Sequence, residues 1–419
     1  MEISSRGQKT ICIPVTSEIA YGEILEDLAG FREYLDQVVK LHPELFPSQM
    51  QQGYRFYGLI FSKKLQLKLR RIQILTSGEV YQLRPDFIMP YLIGKTDDLE
   101  KALYLRRYGV PYDALAYVFG HSAMYWYRAE QNLGKFSVVG TTVKSPTLIP
   151  VDLVADEKHS WLLGERVYLP TTVAAECFLG VDIVKSASTD DLEQGYEVFR
   201  QEALNLNPDY QPETVNTDGW QETQVAWRRL FPGMTLILCF LHSVLGIQGH
   251  LRRWPEQLKA ISRKLWRLYH ATTKVQFAQR LRRLQEWATT ERIDSDLVRE
   301  KLTKLRAKSE KFQVAYDFSK AHRTSNALDR LMNHQDRYLY SMQYFHGTLD
   351  SARLQMRAMA LLWNFHPYGQ RTRLKGGDRS SPFGELNGFV YHENWLHNLL
   401  IAGSMNGYIP RNENLNRIG

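Results

Sequence analysis

The sequence predicts an α/β protein: a mixed β-sheet core carrying a large helical insertion, preceded by an α+β region. Two stretches carry that prediction. From Phe136 onward, "TLIPVDLVADEKHSW", "ERVYLPTTVAAE" and "CFLGVDIVKSAST" are three apolar, β-branched runs with short connections, and helix–strand–helix–strand signals follow them. From Leu251 to Lys311 the pattern is helical and basic, with 17 Lys and Arg against 7 Asp and Glu. The formal charge of the whole chain is only +8, so the remainder is close to neutral. A concentrated basic surface points to a polyanionic partner, with a merely solvated helix pair as the alternative.

The 419 residues exceed one ordinary core and predict two or three domains. With 44% hydrophobic and 23% charged residues the composition is globular. No apolar run approaches the roughly 20 residues of a membrane span, so no membrane partner is expected. The start, "MEISSRGQKTICIPVTSEI", lacks the apolar core of a secretory signal. Cys12, Cys177 and Cys239 are odd in number and far apart. They predict no disulfide framework, fit a reducing cytoplasm and exclude an all-cysteine zinc site.

Along the chain, Ile19 to Leu41 has helical apolar spacing and stops at "HPELFP". "KLQLKLRRIQILTSGEVYQLR" alternates around a Ser-Gly and predicts a basic hairpin. Lys68 and Arg70 there are candidate phosphate contacts, unless the face is simply solvated. "TDDLEKALYLRRYGVPYDALAYVFGHSAMYWYRAEQNLGKF" predicts three short helices, with Pro111 opening the second, Gly120 ending it and Ser122 capping the third. A tight Gly-containing turn between short helices is the helix-turn-helix pattern, in which the start of the last helix enters the major groove. Ser122, Tyr125 and Arg128 are then the candidate base or phosphate contacts. A plain helical bundle is the alternative. The expected divisions are 1–95 (helix and basic hairpin), 96–134 (helix-turn-helix), 135–249 (first part of the core), 250–320 (basic insertion), 321–368 (final core helices) and 369–419 (carboxy-terminal extension). Within the insertion, Arg252, Arg253, Arg282 and Arg283 are candidate DNA contacts.

The strand and helix order from Phe136 is βββαβαβ, the RNase H-like arrangement. Its chemistry needs carboxylates converging on hard cations, one from the first strand, one from the end of the fourth and one from a later helix. Asp156 in "VDLVADEKHSW" fits the first, in competition with Asp152 and Glu157. Asp218 in "VNTDGW" fits the second, although Asp-Gly also simply makes turns. Asp329 in "RTSNALDRLMN" fits the third, with Asp336 and Asp350 as alternatives.

On these residues the chain resembles the RNase H-fold transposases of the retroviral-integrase superfamily, in particular Mutator-like elements and their bacterial insertion-sequence relatives. The likeness rests on "ADE" in a first strand, "TDGW" followed by Cys239-Phe-Leu-His242, and "TSNALDRLMN" opening the last catalytic helix, and it spans about residues 148–365. It implies a DNA transposase that cleaves and joins element ends by two-metal phosphoryl transfer. Asp156, Asp218 and Asp329 would hold Mg²⁺, with Mn²⁺ as a substitute. Cys239, His242, Asn326 and Arg330 would be auxiliary. The basic insertion would hold transposon DNA. The implied partners are double-stranded DNA (terminal inverted repeats and target) and a second copy on DNA, in a prokaryotic cytoplasm beside the nucleoid. The family's third acid is usually Glu. Asp at that position favours the alternative, a transposase-derived sequence-specific DNA-binding protein without catalysis.

Overall fold

The computed structural model describes residues 7–408 except 16, 251–254, 292, 294, 325 and 373–379, and leaves aside the side chains of 250 and 326–329. The expected α/β class is what it shows, built on two mixed sheets. The first sheet has the order β1-β4-β3-β2, from β1 (Thr10–Ile13), β2 (Tyr54–Ser62), β3 (Leu67–Ile74) and β4 (Val80–Pro85). β3 and β4 are the expected hairpin. β2 escapes a period-two reading because a bulge shifts its register between Phe56 and Leu59, at Gly58 with φ +84. β1 is four residues long, too short to show a period, and pairs parallel to β4.

The single helix expected over 19–41 is two helices, α1 (Glu18–Glu26) and α2 (Leu28–Leu41). Asp27 between them is extended, and its carboxylate accepts the Ala29 amide at 3.0 Å, starting a new helix where the apolar spacing alone continues the old one. The three short helices are α3 (Thr96–Arg106), α4 (Tyr112–Phe119) and α5 (Ala123–Leu133), followed by one turn, α6 (Val138–Thr142). Gly120 (φ +76) turns the chain between α4 and α5.

The second sheet has the order β7-β6-β5-β8-β9. Its strands are β5 (Asp152–Leu162), β6 (Glu165–Ala174), β7 (Cys177–Val181), β8 (Thr214–Thr217) and β9 (Thr235–Leu238). The first three are antiparallel, and β8 and β9 run parallel to β5. α7 (Thr189–Leu206) and α8 (Gln221–Leu230) make the crossovers. Ser188 caps α7 through the Asp191 amide at 3.2 Å, and Asp190 and Asp191 complement the helix dipole in its first turn.

After β9 come α9 (Phe240–His250), α10 (Pro255–Tyr269), α11 (Lys274–Thr290), α12 (Asp296–Ala307) and α13 (Ser309–Gln313). They share a core of their own, including Ile261, Leu265, Phe277, Leu284, Val298 and Phe312. α14 (Asn326–Ser341) and α15 (Leu349–Phe365) return to the second sheet, and α16 (Pro382–Asn387) and α17 (Trp395–Ala402) follow.

Alternation along β5 decides which helices lie on which face. Leu153 and Ala155 pack with Tyr196, Phe199 and Trp227 of α7 and α8, whereas Val154 packs with Leu331, Tyr338 and Met356 of α14 and α15. A separate core joins the first sheet and α2–α5 to Leu361, Leu362 and Phe365 of α15 and to Leu396, Leu399 and Leu400 of α17. The two ends of the described chain therefore share one apolar interior.

Candidate active site at the strand ends

β5 and β8 pair in parallel as Asp152 with Thr214, Leu153 with Val215 and Val154 with Asn216, a constant offset of 62 positions. Two residues beyond the last paired residues, the same offset matches Asp156 to Asp218, which stands one residue past the end of β8. Asp156 has the parity of Val154 and so lies on the face that α14 covers. Asp218 follows the last residue of β8, at the carboxyl end of a parallel strand, where open α/β sheets place ligands. Its Oδ1 accepts the Trp220 amide at 2.8 Å across Gly219 (φ +102), so it also makes the Asp-Gly turn into α8. Asp156 and Asp218 are both half-buried.

Asp152 is used differently. It is buried at the start of β5 and accepts the Thr214 hydroxyl at 2.6 Å. Glu157 has the opposite parity and points at α7 and α8. Its Oε1 accepts Tyr196 Oη and Thr223 Oγ1, each at 2.6 Å. Burial raises its pKa to about 8; those two hydrogen bonds oppose the rise, and the charges of Asp156 and Asp218 add to it.

Cys239 is buried just past β9, where its amide donates to Thr217 O at 2.7 Å. His242 is exposed in the first turn of α9. Its pKa is raised to about 9, first by a hydrogen bond with the Cys239 side chain, then by the Cys239, Asp156 and Asp218 charges. Two groups on different elements thus feel the negative field of the same pair of aspartates.

The chain reaches α14 from this same place. Asn216 of β8 donates to His322 O at 2.9 Å, and the Phe240 amide donates to Arg323 O at 3.3 Å. The Arg323 guanidinium is held inside by Tyr269 O, Ala271 O and Tyr316 Oη, tying the helical insertion to the edge of the site. Arg330 is exposed and pairs with Glu176 at the β6–β7 turn, and Asp336 pairs with Lys158 of β5. The side chains of Asn326 and Asp329 lie outside the described residues. Asp350 opens α15, 74% exposed.

The remaining candidates have separate settings. Ser122 caps α5 through the Tyr125 amide at 3.2 Å. Tyr125 stacks on His121 and donates to Ile93 O at 3.0 Å. Arg128 is exposed. Lys68 is exposed, but Arg70 is buried, giving Leu25 O a hydrogen bond at 2.7 Å between the rings of Phe31 and Phe56. Alternation alone does not reveal that α1 and α2 cover that side of β3. Arg252 and Arg253 lie outside the described residues. Arg282 is exposed beside Glu286, and Arg283 lines a groove of about 640 Å³ between α10 and α11 with Arg263, Lys264, Trp266, Arg267 and Arg280.

No protein-family model matches this chain, and no curated protein matches its sequence. The functional reading therefore rests on the geometry.

Sequence reasoning missed one cluster. Asp86, His392 and His397 each bring a ligand atom within 4.8 Å of the others, a group able to hold a metal ion, and among the described residues no other three His, Cys, Asp or Glu side chains gather so tightly. "HENWLH" is the only local signal, and Asp86 lies 311 positions from His397.

Proposed function

We propose that the protein is a Mg²⁺-dependent DNA transposase with an RNase H-like core. The observation that carries the reading is the nearness of Asp156 on β5 to Asp218 at the end of the adjacent parallel strand β8, where both charges reach Glu157 and His242. The strand order β7-β6-β5-β8-β9, with helices at both crossovers, supports the core assignment.

α14 carries position 329, where the third acid is expected. Its direction follows β5: Asp336 meets Lys158, and Phe345 exchanges backbone hydrogen bonds with Trp161 and Leu163. Position 329 precedes Asp336 by two helical turns, about 10 Å at the α-helical rise, or about three residues of strand. Stepping back from Lys158, or from Thr171 where Gln335 meets β6, sets the backbone of position 329 beside residues 153–155 of β5, close to Asp156.

The donor set fits a hard divalent cation, because carboxylates are the ligands that Mg²⁺ takes. Asp156 and Asp218 would hold the metal, with Asp329 completing the set. When bound, the metal ions would supply activation of a water or 3′-hydroxyl oxygen and stabilisation of the leaving oxygen. Glu157, its pKa raised by burial, is anchored by Tyr196 and Thr223 on the opposite face of β5 from Asp156. The cationic His242 stands at the rim, where a DNA phosphate approaches. α4 and α5 form a helix-turn-helix for the element ends, Arg128 faces the duplex, and the α10–α11 groove carries further backbone contacts.

The test is Mg²⁺-dependent cleavage of DNA carrying the sequences that flank the gene, wild type against Asp156→Asn and Asp218→Asn. Cleavage by wild type, and binding without cleavage by both variants, supports the proposal. Tight, sequence-specific binding with no cleavage by wild type would instead establish the non-catalytic DNA-binding protein.

A further inference from the structure

We propose that Asp86, His392 and His397 form a zinc-class metal site that staples the carboxy-terminal helix to the first sheet. The elements that meet there are distant in sequence. Asp86 follows β4 directly, Asp97 lies in the first turn of α3, and His392 and His397 flank the start of α17. Asp86 is fully buried and His397 is 5% exposed.

The hydrogen bonds define which ring nitrogens are available. His397 Nε2 faces Asp97 Oδ1 at 3.0 Å, and its Nδ1 faces Asp86 Oδ2 at 2.7 Å. A neutral imidazole has one N–H. Whichever aspartate receives that proton, the other ring nitrogen turns a lone pair towards a carboxylate oxygen. A second ring proton, or a metal ion taking the place of one of these contacts, makes the arrangement favourable. A histidine that donates its far N–H to a carboxylate while its other nitrogen faces the site has the outer-shell arrangement typical of metal ligands.

His392 supplies the third donor. Its ring stacks on that of His397 at 4.6 Å, and its Nδ1 accepts the Asn394 amide at 2.9 Å, so Nδ1 carries the lone pair. Metal binding there gives up that backbone hydrogen bond and the 2.7 Å contact between His397 and Asp86, and turns the two stacked rings so that both lone pairs meet the ion, in exchange for the coordinate bonds. Charge favours the divalent ion over the proton. Asp86 and Asp97 bring two negative charges, which an imidazolium half neutralises and a dication balances. Two imidazoles and one carboxylate suit Zn²⁺ and its neighbours rather than Mg²⁺. This site is thus distinct in place and in chemistry from the aspartates of the second sheet.

The experiment loads the full-length protein with Zn²⁺, dialyses it against metal-free buffer and counts zinc per chain. Co²⁺ loading provides a visible spectrum. The expected result is one tightly held zinc in wild type and a Co²⁺ spectrum of tetrahedral nitrogen and oxygen ligation without a thiolate charge-transfer band. A rise of several degrees in Tm on adding Zn²⁺ should accompany it. His392→Ala loses the zinc and the Tm rise, Asp97→Asn weakens affinity by about 10–100-fold, and Asp218→Asn and Cys239→Ser keep the zinc. His392 is only half-buried, so its variant reports even if His397→Ala does not fold. Two results overturn the proposal: a wild-type protein that retains no zinc, which makes His397 a proton-held bridge, or zinc that is lost with Cys239→Ser and kept in His392→Ala.

Discussion

The two clusters of acids and histidines use the same side chains and arise in opposite ways. Around Asp156 and Asp218 the geometry comes from neighbouring parallel strands, β5 carrying the first and β8 ending just before the second. Around Asp86, His392 and His397 it comes from the meeting of chain segments more than 300 positions apart, inside a core that both ends of the described chain build. The first cluster lies at strand ends with half-buried acids, whereas the second buries Asp86 completely.

The largest expected effect tests the proposed catalytic role of the first cluster against the second. Asp218→Asn should lower Mg²⁺-dependent end cleavage by roughly a thousandfold or more, the several kcal/mol a metal supplies to phosphoryl transfer, with little change in DNA affinity measured by filter binding. His392→Ala should leave cleavage per folded molecule unchanged. A comparable loss of cleavage in both variants would mean the two clusters are not separate.

The next effect concerns what holds the three short helices to the second sheet. Arg106 and Glu130 are a fully buried pair at 2.6 Å; Tyr112 and Tyr338 also donate to Glu130, and Gln355 donates to Tyr338 at 2.6 Å. Glu130→Ala leaves the Arg106 charge buried without its partner and should cost about 3–5 kcal/mol, read as a fall in the urea midpoint. A change under 1 kcal/mol would show that α14 and α5 are held by apolar packing alone.

Acid sensitivity sharpens the comparison further, because a histidine outside both clusters sets the background. His334 is 1% exposed, and its pKa is pushed down to about 3, mainly by burial and then by the charges of Arg107 and Arg337. In the unfolded chain it titrates near 6.5. Between these values the unfolded state binds more protons, so stability falls as the pH drops from about 6.5 to about 3. His334→Phe should flatten that slope in urea titrations at pH 7 and pH 4.5. An unchanged slope would assign the acid lability to other groups.

The smallest effect is on salt dependence. Removing Arg267 and Arg283 from the α10–α11 groove should reduce the slope of log affinity against log salt by about 0.9 per lost phosphate contact. Identical slopes for wild type and variant would remove the groove from the DNA path.

Much of the second sheet was legible in the sequence. β5 to β9 and α7 and α8 stand where the apolar runs and breaks predict, because each is a local pattern with a period. The misreadings also have local causes: one capping aspartate, Asp27, divided a continuous amphipathic stretch, and a bulge at Gly58 hid β2. Burial of Arg70 was illegible because a basic residue on a strand reads as solvated until the covering helices are known. The sequence by itself thus determined the strand and helix series, the places of Asp156 and Asp218 in it, and the concentration of positive charge in the insertion. The tertiary structure alone decided that Glu157 turns away from Asp156 to Tyr196 and Thr223, and that Asp86 meets His397. Periodicity records which face a residue occupies, whereas contact between distant segments depends on how the faces close on one another.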